Sequence, residues 1–291
     1  PEFKKIKNIS LKKKLKLFTL KNKYFQILSH NYKNEAQILK IKHENLIHEI
    51  RVNLVGKIQL KNILMAAIAA SKSNLDLKKI ISVIPRLSPV EGRFEKVGKI
   101  KNKSLVFLDY AHTPDALQTC ILNIREQFTD KHISVLFGCG GDRDKGKRSK
   151  MGKIADKYAN KIYLTDDNPR HERPKKIRDE IKRGIKKRQI IEISNRKEAI
   201  VKAINNLNTG DILIVAGKGH EKIQQIGNRK VFLSDRQIIL NSIKKKNFNL
   251  SKNLKINIFN ERFDQNVLSS KSAINKASIN SKSVKKNDIF F

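Results

Sequence analysis

Four short motifs rich in glycine and charged side chains each follow an apolar segment of this 291-residue chain. The first, Leu108–Pro114, reads LDYAHTP. Its Asp109 carboxylate can accept hydrogen bonds from a ribose, and its His112 imidazole can contact a phosphate or a ribose. The alternative is that both side chains cap the helix that follows. The residue spacing does not separate these two interpretations.

The second motif, Gly138–Arg148, reads GCGGDRDKGKR. Its glycines let the backbone approach a ligand closely, and its cations near the start of the next helix suit an anion. Gly141 to Lys147 matches G-x-x-x-x-G-K, but Arg148 stands where a nucleotide phosphate loop needs Ser or Thr for magnesium. We therefore exclude that loop, and an unliganded glycine-rich turn stays the alternative. Cys139 lacks the partners that a zinc site requires.

The third motif contains the tetrad Asp167-Asn168-Pro169-Arg170. Asn168 precedes a proline and is biased towards an extended backbone, while Pro169 has a fixed φ. This geometry sets the directions of Asp167, which can pair with an ammonium group, and of Arg170, which can fork onto a carboxylate. The tetrad can therefore read the zwitterionic centre of an amino acid. An ordinary Asp/Asn-Pro turn is the alternative.

The fourth motif, Val215–Glu221, reads VAGKGHE. Its glycines, Gly217 among them, expose backbone groups, and the Glu221 carboxylate can bind an amino group. A glycine turn into a short connection is the alternative.

The elements that must position these motifs follow an α/β rhythm from about residue 98. Strands alternating with helices of ten to fifteen residues predict a doubly wound, mostly parallel sheet. Ligands of such sheets bind beyond the carboxyl ends of the strands, where all four motifs fall. The predicted strands are 105–110, 133–137, 161–165, 190–193 and 211–216, with a last strand and helix in 231–245. The predicted helices are 114–127, 148–158, 174–187 and one that opens at Asn195 with Glu198 as its capping-box partner.

Outside this region the sequence lacks the regular alternation of strands and helices. Residues 1–92 contain strand-like alternation at 24–28 and 46–50 and an Ala-rich helical segment at 62–70, and they end in a Pro- and Gly-containing hinge. We take 93–246 as the next domain and the polar segment 247–270 as a linker. Strand-like alternation resumes in 271–291.

Composition excludes some classes of protein. A net charge of +36 suggests the hypothesis of a nucleic-acid-binding protein. The lysines, however, are spread along the chain, and no basic–aromatic module is present. No apolar run approaches the roughly 18–20 residues of a membrane helix, so we expect no membrane insertion. Two cysteines make neither a disulfide framework nor a four-thiolate zinc site. We therefore expect a cytoplasmic protein without a specific nucleic-acid partner.

In their order and spacing, the four motifs and the closing Ser234-Asp235-Arg236 resemble MurE-type Mur ligases, the UDP-N-acetylmuramoyl-alanyl-glutamate:2,6-diaminopimelate ligases. The resemblance covers about residues 1–245. It implies an ATP- and Mg²⁺-dependent amide ligase of three domains that joins meso-diaminopimelate to UDP-MurNAc-L-Ala-D-Glu. Residues 1–92 then end the central ATP-binding domain, and 93–246 form the Rossmann-like carboxy-terminal domain that binds the amino acid.

The resemblance also implies roles for individual residues. It assigns the nucleotide side of the site to Asn62, Arg93, Asp109 and His112. It assigns diaminopimelate binding to Arg143, Asp167, Asn168, Pro169, Arg170, Gly217 and Glu221. Because lysine-adding relatives lack the Arg of the tetrad, Arg170 favours an amino acid with a distal carboxylate.

The family's uridine-binding domain, its phosphate loop and its magnesium ligands have no counterpart in this sequence. We therefore assign no catalytic or metal-binding residue, and we expect that the chain alone neither hydrolyses ATP nor forms the amide.

A second resemblance lies at residues 277–291, which are similar to the D-S-R-x-V-x-x-G-D-x-F stretch that opens Mur ligases. Asn280, Lys282 and Asn287 replace the usual Asp, Arg and Gly. A MurF-type ligase would fit here, so we expect a fused, bifunctional ligase truncated at both ends.

Three alternatives stay open. The first is a related enzyme, either a lysine-adding Mur ligase or a folylpolyglutamate synthase-like ligase, against which Arg170 and Glu221 both count. The second is a basic nucleic-acid-binding protein, whose binding would persist above physiological salt. The third is a non-catalytic scaffold domain, which would bind no amino acid.

Overall fold

A computed structural model describes residues 2–19, 24–263, 277–278 and 289–290 of the chain. Its first part is an antiparallel sheet of three strands with helices against it. Leu39, Ile41 and Ile50 of the sheet pack on Leu64 and Ile68 of the second helix. The elements are α1 (Glu2–Lys12), β1 (Gln26–Lys33), β2 (Ala36–His43), β3 (Leu46–Val52), α2 (Lys57–Lys72), α3 (Leu77–Val83) and a 3-10 turn (Ile84–Arg86).

The second part is a six-stranded sheet, which confirms the predicted doubly wound, mostly parallel α/β fold. The strands are β4 (Glu95–Lys99), β5 (Leu105–Asp109), β6 (Ile133–Phe137), β7 (Lys161–Leu164), β8 (Ile190–Glu192) and β9 (Ile212–Ala216). Their order is β4-β5-β9-β6-β7-β8, with β4 antiparallel to β5 and every other pair parallel. The inner strands β6 and β9 are buried along their whole length, as continuous apolar runs in parallel sheets usually are.

Helices cover both faces of this sheet. The first face carries α4 (Pro114–Gln127), α5 (Gly146–Tyr158) and α6 (Pro174–Lys182), and the second carries α7 (Arg196–Asn205) and α8 (Asp235–Phe263). Local sequence determines where two of the helices begin. The Thr113 hydroxyl caps α4, which begins at Pro114, and the Asn195 side chain caps α7 by accepting the Glu198 N–H at 3.2 Å. Apolar side chains buried on both faces, each contributing roughly 1.5–3 kcal/mol, hold the layers together.

Some predicted boundaries were wrong. The last helix does not stop at Lys245 but runs to Phe263, well into the predicted linker. Its polar residues are only mildly unfavourable to a helix, and it contains neither Pro nor Gly to break one. Conversely, α6 ends at Lys182 and not at Lys187. Gly184 lies just beyond this end and is unfavourable in a helix. It also allows close packing on α5, since a Cβ there would lie 1.9 Å from the Ser149 carbonyl oxygen.

The predicted last strand, from residue 231, does not join the large sheet. It corresponds to β11 (Arg229–Phe232), which forms a hairpin with β10 (Ile223–Ile226), a strand that was not predicted. Near the end of the chain, β12 (Ala277–Ser278) and β13 (Ile289–Phe290) pair in parallel. The rest of the predicted second ligase start, 271–291, lies outside the described residues. Within the described ranges, no helix has the length and apolarity to cross a membrane.

Candidate functional site

The fold brings the four predicted motifs to one edge of the large sheet. They follow β5, β6, β7 and β9, whose parallel strands all end at this edge. Backbone hydrogen bonds tie the loops together: Gly217 N donates to Asp109 O at 3.1 Å, and Gly141 N donates to Asn168 O at 2.9 Å. The predicted residues thus form one continuous surface of adjoining loops.

Asn168 lies at the centre of this surface and is 7% exposed. Its amide nitrogen donates to Glu221 Oε2 at 3.0 Å. Its amide oxygen accepts hydrogen bonds from Lys218 Nζ at 3.2 Å and from Gln225 N at 3.0 Å. Both ends of the side chain are therefore bonded within the protein. Asn168 sets the positions of neighbouring groups and has little left to offer a ligand.

Asp167 packs directly against the β9 loop. Its Oδ2 lies 2.9 Å from the place where a Cβ on Gly217 would stand, and Gly217 has a φ of +113°. Only glycine satisfies both the close approach and this backbone conformation. The role of Gly217 at this edge is therefore to make room for the Asp167 carboxylate.

Arg170 occupies a left-handed turn, with a φ of +49°. Its Nη1 donates to Gly141 O at 2.8 Å. Its backbone pairs with the β10–β11 hairpin, donating to Gln225 O at 3.1 Å and accepting from Gly227 N at 2.6 Å. The β10–β11 hairpin, of which only the second strand was predicted, therefore fixes the direction of Arg170. A left-handed backbone at a non-glycine residue is uncommon and often marks a functional position.

Arg143 supplies a second cation beside Arg170. The space next to Gly140 is flanked by both: a Cβ there would lie 2.8 Å from Arg170 Nη1 and 3.9 Å from Arg143 Cγ. Arg143 is exposed, and its Nη1 donates to Asp142 O at 2.9 Å. The structure thus places the side chains of two arginines next to Gly140, at the rim of the edge.

Glu221 supplies a carboxylate on the same edge. It accepts hydrogen bonds from Tyr110 Oη at 3.3 Å, from Asn168 Nδ2 and from the fully buried Lys218 Nζ, also at 3.3 Å. Burial alone would raise the pKa of Glu221, but the Lys218 charge and these hydrogen bonds outweigh it, so the pKa is lowered. Glu221 is therefore ionised at neutral pH and can attract an ammonium group.

The predicted nucleotide-side residues are only partly assembled. The Arg93 guanidinium lies 4.4 Å from the centre of the Tyr110 ring, a cation–π arrangement. His112 is exposed, with its Nδ1 2.9 Å from Tyr110 O. Asn62 is not brought to these residues. It lines an apolar groove of about 520 Å³ between α2 and α3, although Gln59, one turn earlier, donates to Arg93 O at 3.1 Å.

Asp109 is engaged by the backbone around it. Its Oδ2 accepts the Phe94 N–H at 2.6 Å and its Oδ1 accepts the Ala111 N–H at 2.8 Å. Burial raises the pKa of Asp109 despite these hydrogen bonds and the nearby Arg93 charge. The carboxylate therefore joins the hinge at Phe94 to the end of β5, and only its remaining lone pairs face outward.

The sequence of this chain is similar to those of known proteins. Residues 92–219 match the family described as Mur ligase, glutamate ligase domain. The chain is 43% identical over 215 residues to a UDP-N-acetylmuramoyl-L-alanyl-D-glutamate–2,6-diaminopimelate ligase of Rickettsia felis, covering 74% of this chain and 40% of the relative. It is 47% identical over 189 residues to the ligase of that name from Rhizobium meliloti, covering 65% of this chain and 38% of the relative. The chain belongs to the Mur ligase family.

A solved structure of a ligase with that same name agrees in fold. Its TM-score is 0.61 at 31% identity, over 78% of this chain and 47% of that one. The chain spans less than half the length of each of these three proteins. The similarity therefore concerns the part of a Mur ligase that contains the edge described above.

Sequence reasoning missed the buried charges beneath this Mur ligase edge. Arg148, used above only to exclude a phosphate loop, is fully buried. Its guanidinium donates to Glu172 at 2.8 and 2.9 Å, to Glu180 at 2.7 Å and to Gly140 O at 3.2 Å. These bonds lower the pKa of Glu172 to about 2. No local pattern signals such burial, because its two carboxylate partners lie more than twenty residues away.

Metal binding has no support among the described residues. They contain no group of three or more His, Cys, Asp or Glu side chains that could hold an ion. Cys120 and Cys139 are buried and unbonded to one another, and burial raises the pKa of the Cys139 thiol to about 12.

Proposed function

We propose that this chain contains the amino-acid-binding part of an ATP-dependent amide ligase that adds meso-diaminopimelate to UDP-MurNAc-L-Ala-D-Glu in peptidoglycan synthesis. The observation that carries the proposal is the arrangement of opposite charges at one edge. Arg143 and Arg170 flank Gly140, while Asp167 and Glu221 lie on the adjoining loops. Diaminopimelate carries two carboxylates and two ammonium groups, which such an edge can match.

The tetrad and its neighbours recognise different groups of the amino acid. Arg170 and Arg143 bind carboxylate, since a guanidinium forks onto it with two charge-assisted hydrogen bonds. Asp167 and Glu221 receive ammonium. Asn168, Pro169 and Gly217 hold these groups in place through the contacts described above.

The chemistry requires activation and then orientation. A carboxylate is a poor acyl donor, so the γ-phosphoryl group of ATP is transferred to the D-glutamyl carboxylate and ADP leaves. The free amine of the amino acid then attacks the acyl phosphate, and the amide forms as phosphate leaves and the amine loses a proton. The residues of this chain hold that amine near its target, so that the attack is effectively unimolecular. The described residues contain no cluster of carboxylates or imidazoles that fits Mg²⁺.

The hinge side would face the nucleotide. Arg93, Asp109 and His112 lie together around Tyr110. Asn62 lines a separate groove, so its proposed role at the nucleotide requires α2 to move towards them. A Cβ at Gly92 would lie 2.2 Å from His220 N, so the hinge packs tightly on the β9 loop. Movement here would bring the nucleotide and amino-acid sides together and exclude water.

Three finer points rest on sequence alone. The similarity of residues 277–291 to the start of Mur ligases supports a fused MurF-type ligase. Purified chain would lack ligase activity, since the phosphate loop of the family has no counterpart here. The two cysteines make no disulfide framework, which favours the reducing cytoplasm as the compartment. A stop codon directly after Phe291 in the flanking DNA would contradict the fusion, and amide formation by the purified chain would contradict the inactivity.

Calorimetry of the chain with meso-diaminopimelate and with L-lysine tests the main proposal. We expect meso-diaminopimelate to bind about tenfold or more tightly than lysine, because lysine leaves the Arg170 guanidinium without its carboxylate. Arg170→Ala should remove this preference, whereas Arg183→Ala, an exposed arginine beyond α6, should keep it. Equal affinity for both ligands would favour a lysine-adding or folylpolyglutamate synthase-like enzyme, and no binding of either would contradict the proposal.

A further inference from the structure

A fully buried ion pair lies under the candidate amino-acid site. The side chains of Arg196, at the start of α7, and Asp235, at the start of α8, are both 0% exposed. Arg196 Nε donates to Asp235 Oδ1 at 2.9 Å, and its Nη2 donates to Asp235 Oδ2 at 2.7 Å. Asp235 belongs to the Ser234-Asp235-Arg236 motif, which contributes no residue to the candidate site described above.

The other side of the Arg196 guanidinium faces the site. Nη2 also donates to Ala216 O at 2.9 Å, immediately before Gly217. Nη1 lies 3.9 Å from Asp167 Oδ2 and donates no hydrogen bond to any residue within the described ranges. Oδ2 of the Asp167 carboxylate therefore lies close to both the Gly217 backbone and a fixed positive charge.

Packing does not explain why this pair is charged. Removing two charges from water is costly, and apolar residues of similar volume usually fill such a site with equal or greater stability. A guanidinium, however, has several donors in a rigid plane and can hold two groups at once. Here it holds the end of β9 and faces the tetrad, which an apolar side chain cannot do.

We propose that Arg196, fixed by Asp235, is a positioning residue that orients the Asp167 carboxylate and the β9 end towards the ammonium group of the incoming amino acid. This inference rests on the proposed function for its ligand. Its structural content, the fixed placement of Asp167 and Gly217, does not depend on that ligand.

The next residue provides a matched control. Arg236 donates to Glu95 Oε1 at 2.8 Å, and Glu95 Oε2 accepts the Gly92 N–H at 2.8 Å. Arg236 thus supports the hinge from the same helical turn, without contacting the tetrad. Arg236→Gln should leave the affinity for meso-diaminopimelate unchanged.

The test replaces the ion pair by an apolar pair, Arg196→Met with Asp235→Leu, and measures urea unfolding and calorimetric affinity for meso-diaminopimelate. We expect an unfolding midpoint close to that of the unchanged chain and an affinity about tenfold or more lower. Unchanged affinity in the folded double variant would overturn the proposal. If the double variant does not fold, Arg196→Lys serves instead: it keeps the charge but loses the fork, and an unchanged affinity would again overturn it.

Amide hydrogen exchange tests the positioning without a ligand. In the variant, the Gly217 amide, bonded to Asp109 O, and the Gln225 amide, bonded to Asn168 Oδ1, should exchange faster, while amides of the β1–β3 sheet keep their rates. Unchanged exchange at Gly217 and Gln225 would overturn the proposal. If the unchanged chain binds no diaminopimelate, the proposed function fails, and exchange still decides whether Arg196 positions the site.

Discussion

Arginines occupy two contrasting regions at the carboxyl edge of the large sheet. In the floor, Arg148 and Arg196 are fully buried and bonded to carboxylates of the protein itself. At the rim, Arg143 is exposed and Arg170 half-buried, and the hydrogen bonds of their side chains go to single carbonyl oxygens. Arg143 and Arg148 belong to one motif, five residues apart, yet they fall into different regions.

The difference shows how one residue type serves two purposes. A buried guanidinium must be paired, because an uncompensated charge in the interior is very costly. Once paired, it cross-links loops that are distant in sequence. An exposed guanidinium contributes little to stability and keeps donors for a ligand. The floor therefore fixes the shape of the edge, and the rim provides its recognition.

The largest effect is expected in the floor. Arg148→Met should lower the free energy of unfolding by about 3 kcal/mol, since it leaves the partly buried Glu172 and Glu180 carboxylates without their partner. Urea unfolding followed by circular dichroism measures this. The matched rim variant, Arg143→Met, should stay within about 0.5 kcal/mol of the unchanged chain. Similar losses in both variants would erase the distinction between floor and rim.

A smaller effect, on ligand affinity and not on stability, is expected at the rim. Arg143→Ala should weaken binding of meso-diaminopimelate by about 1.5–3 kcal/mol, the usual contribution of a hydrogen bond to a charged group. Its urea midpoint should not move. Calorimetry and unfolding on the same preparation separate the two quantities. A shifted midpoint with intact binding would place Arg143 among the structural residues.

Acid should weaken the floor through Glu172. Its folded pKa, lowered by Arg148 to about 2, lies below the ordinary value of 4.5. A lowered carboxyl pKa contributes stability that is fully present above about pH 4.5 and is lost as the pH falls towards 2. Urea midpoints measured across this window should fall less steeply for Glu172→Gln than for the unchanged chain. Glu49→Gln, at an exposed position of β3, should keep the original slope.

The smallest effect concerns the backbone of the tetrad. Because Arg170 has a φ of +49°, Arg170→Gly should be more stable than Arg170→Ala by about 1 kcal/mol. Both variants lack the guanidinium and should bind meso-diaminopimelate equally weakly. Unfolding and calorimetry check the two statements. Equal stability of the two variants would mean that the turn relaxes when the side chain is removed.

Local sequence was enough to predict the frame of the fold. The apolar runs at 105–110, 133–137 and 211–216 predicted the strands β5, β6 and β9 within one residue at each end. Pro114 and Asn195 marked the starts of α4 and α7, since helix caps depend on neighbouring residues. The motifs that contain the candidate site residues could also be recognised in the sequence, because glycine turns and an Asn-Pro step restrict the backbone locally.

Tertiary structure alone decided which charges are buried and what fixes the tetrad. Arg196 meets Asp235 thirty-nine residues later, and Arg170 is bonded to a hairpin whose strands are short and largely exposed. Asn62, expected with Arg93 and His112, lies in a separate groove. The physical reason is range: a strand or a cap depends on residues a few positions apart, whereas burying a charge depends on a partner that only the folded chain brings near.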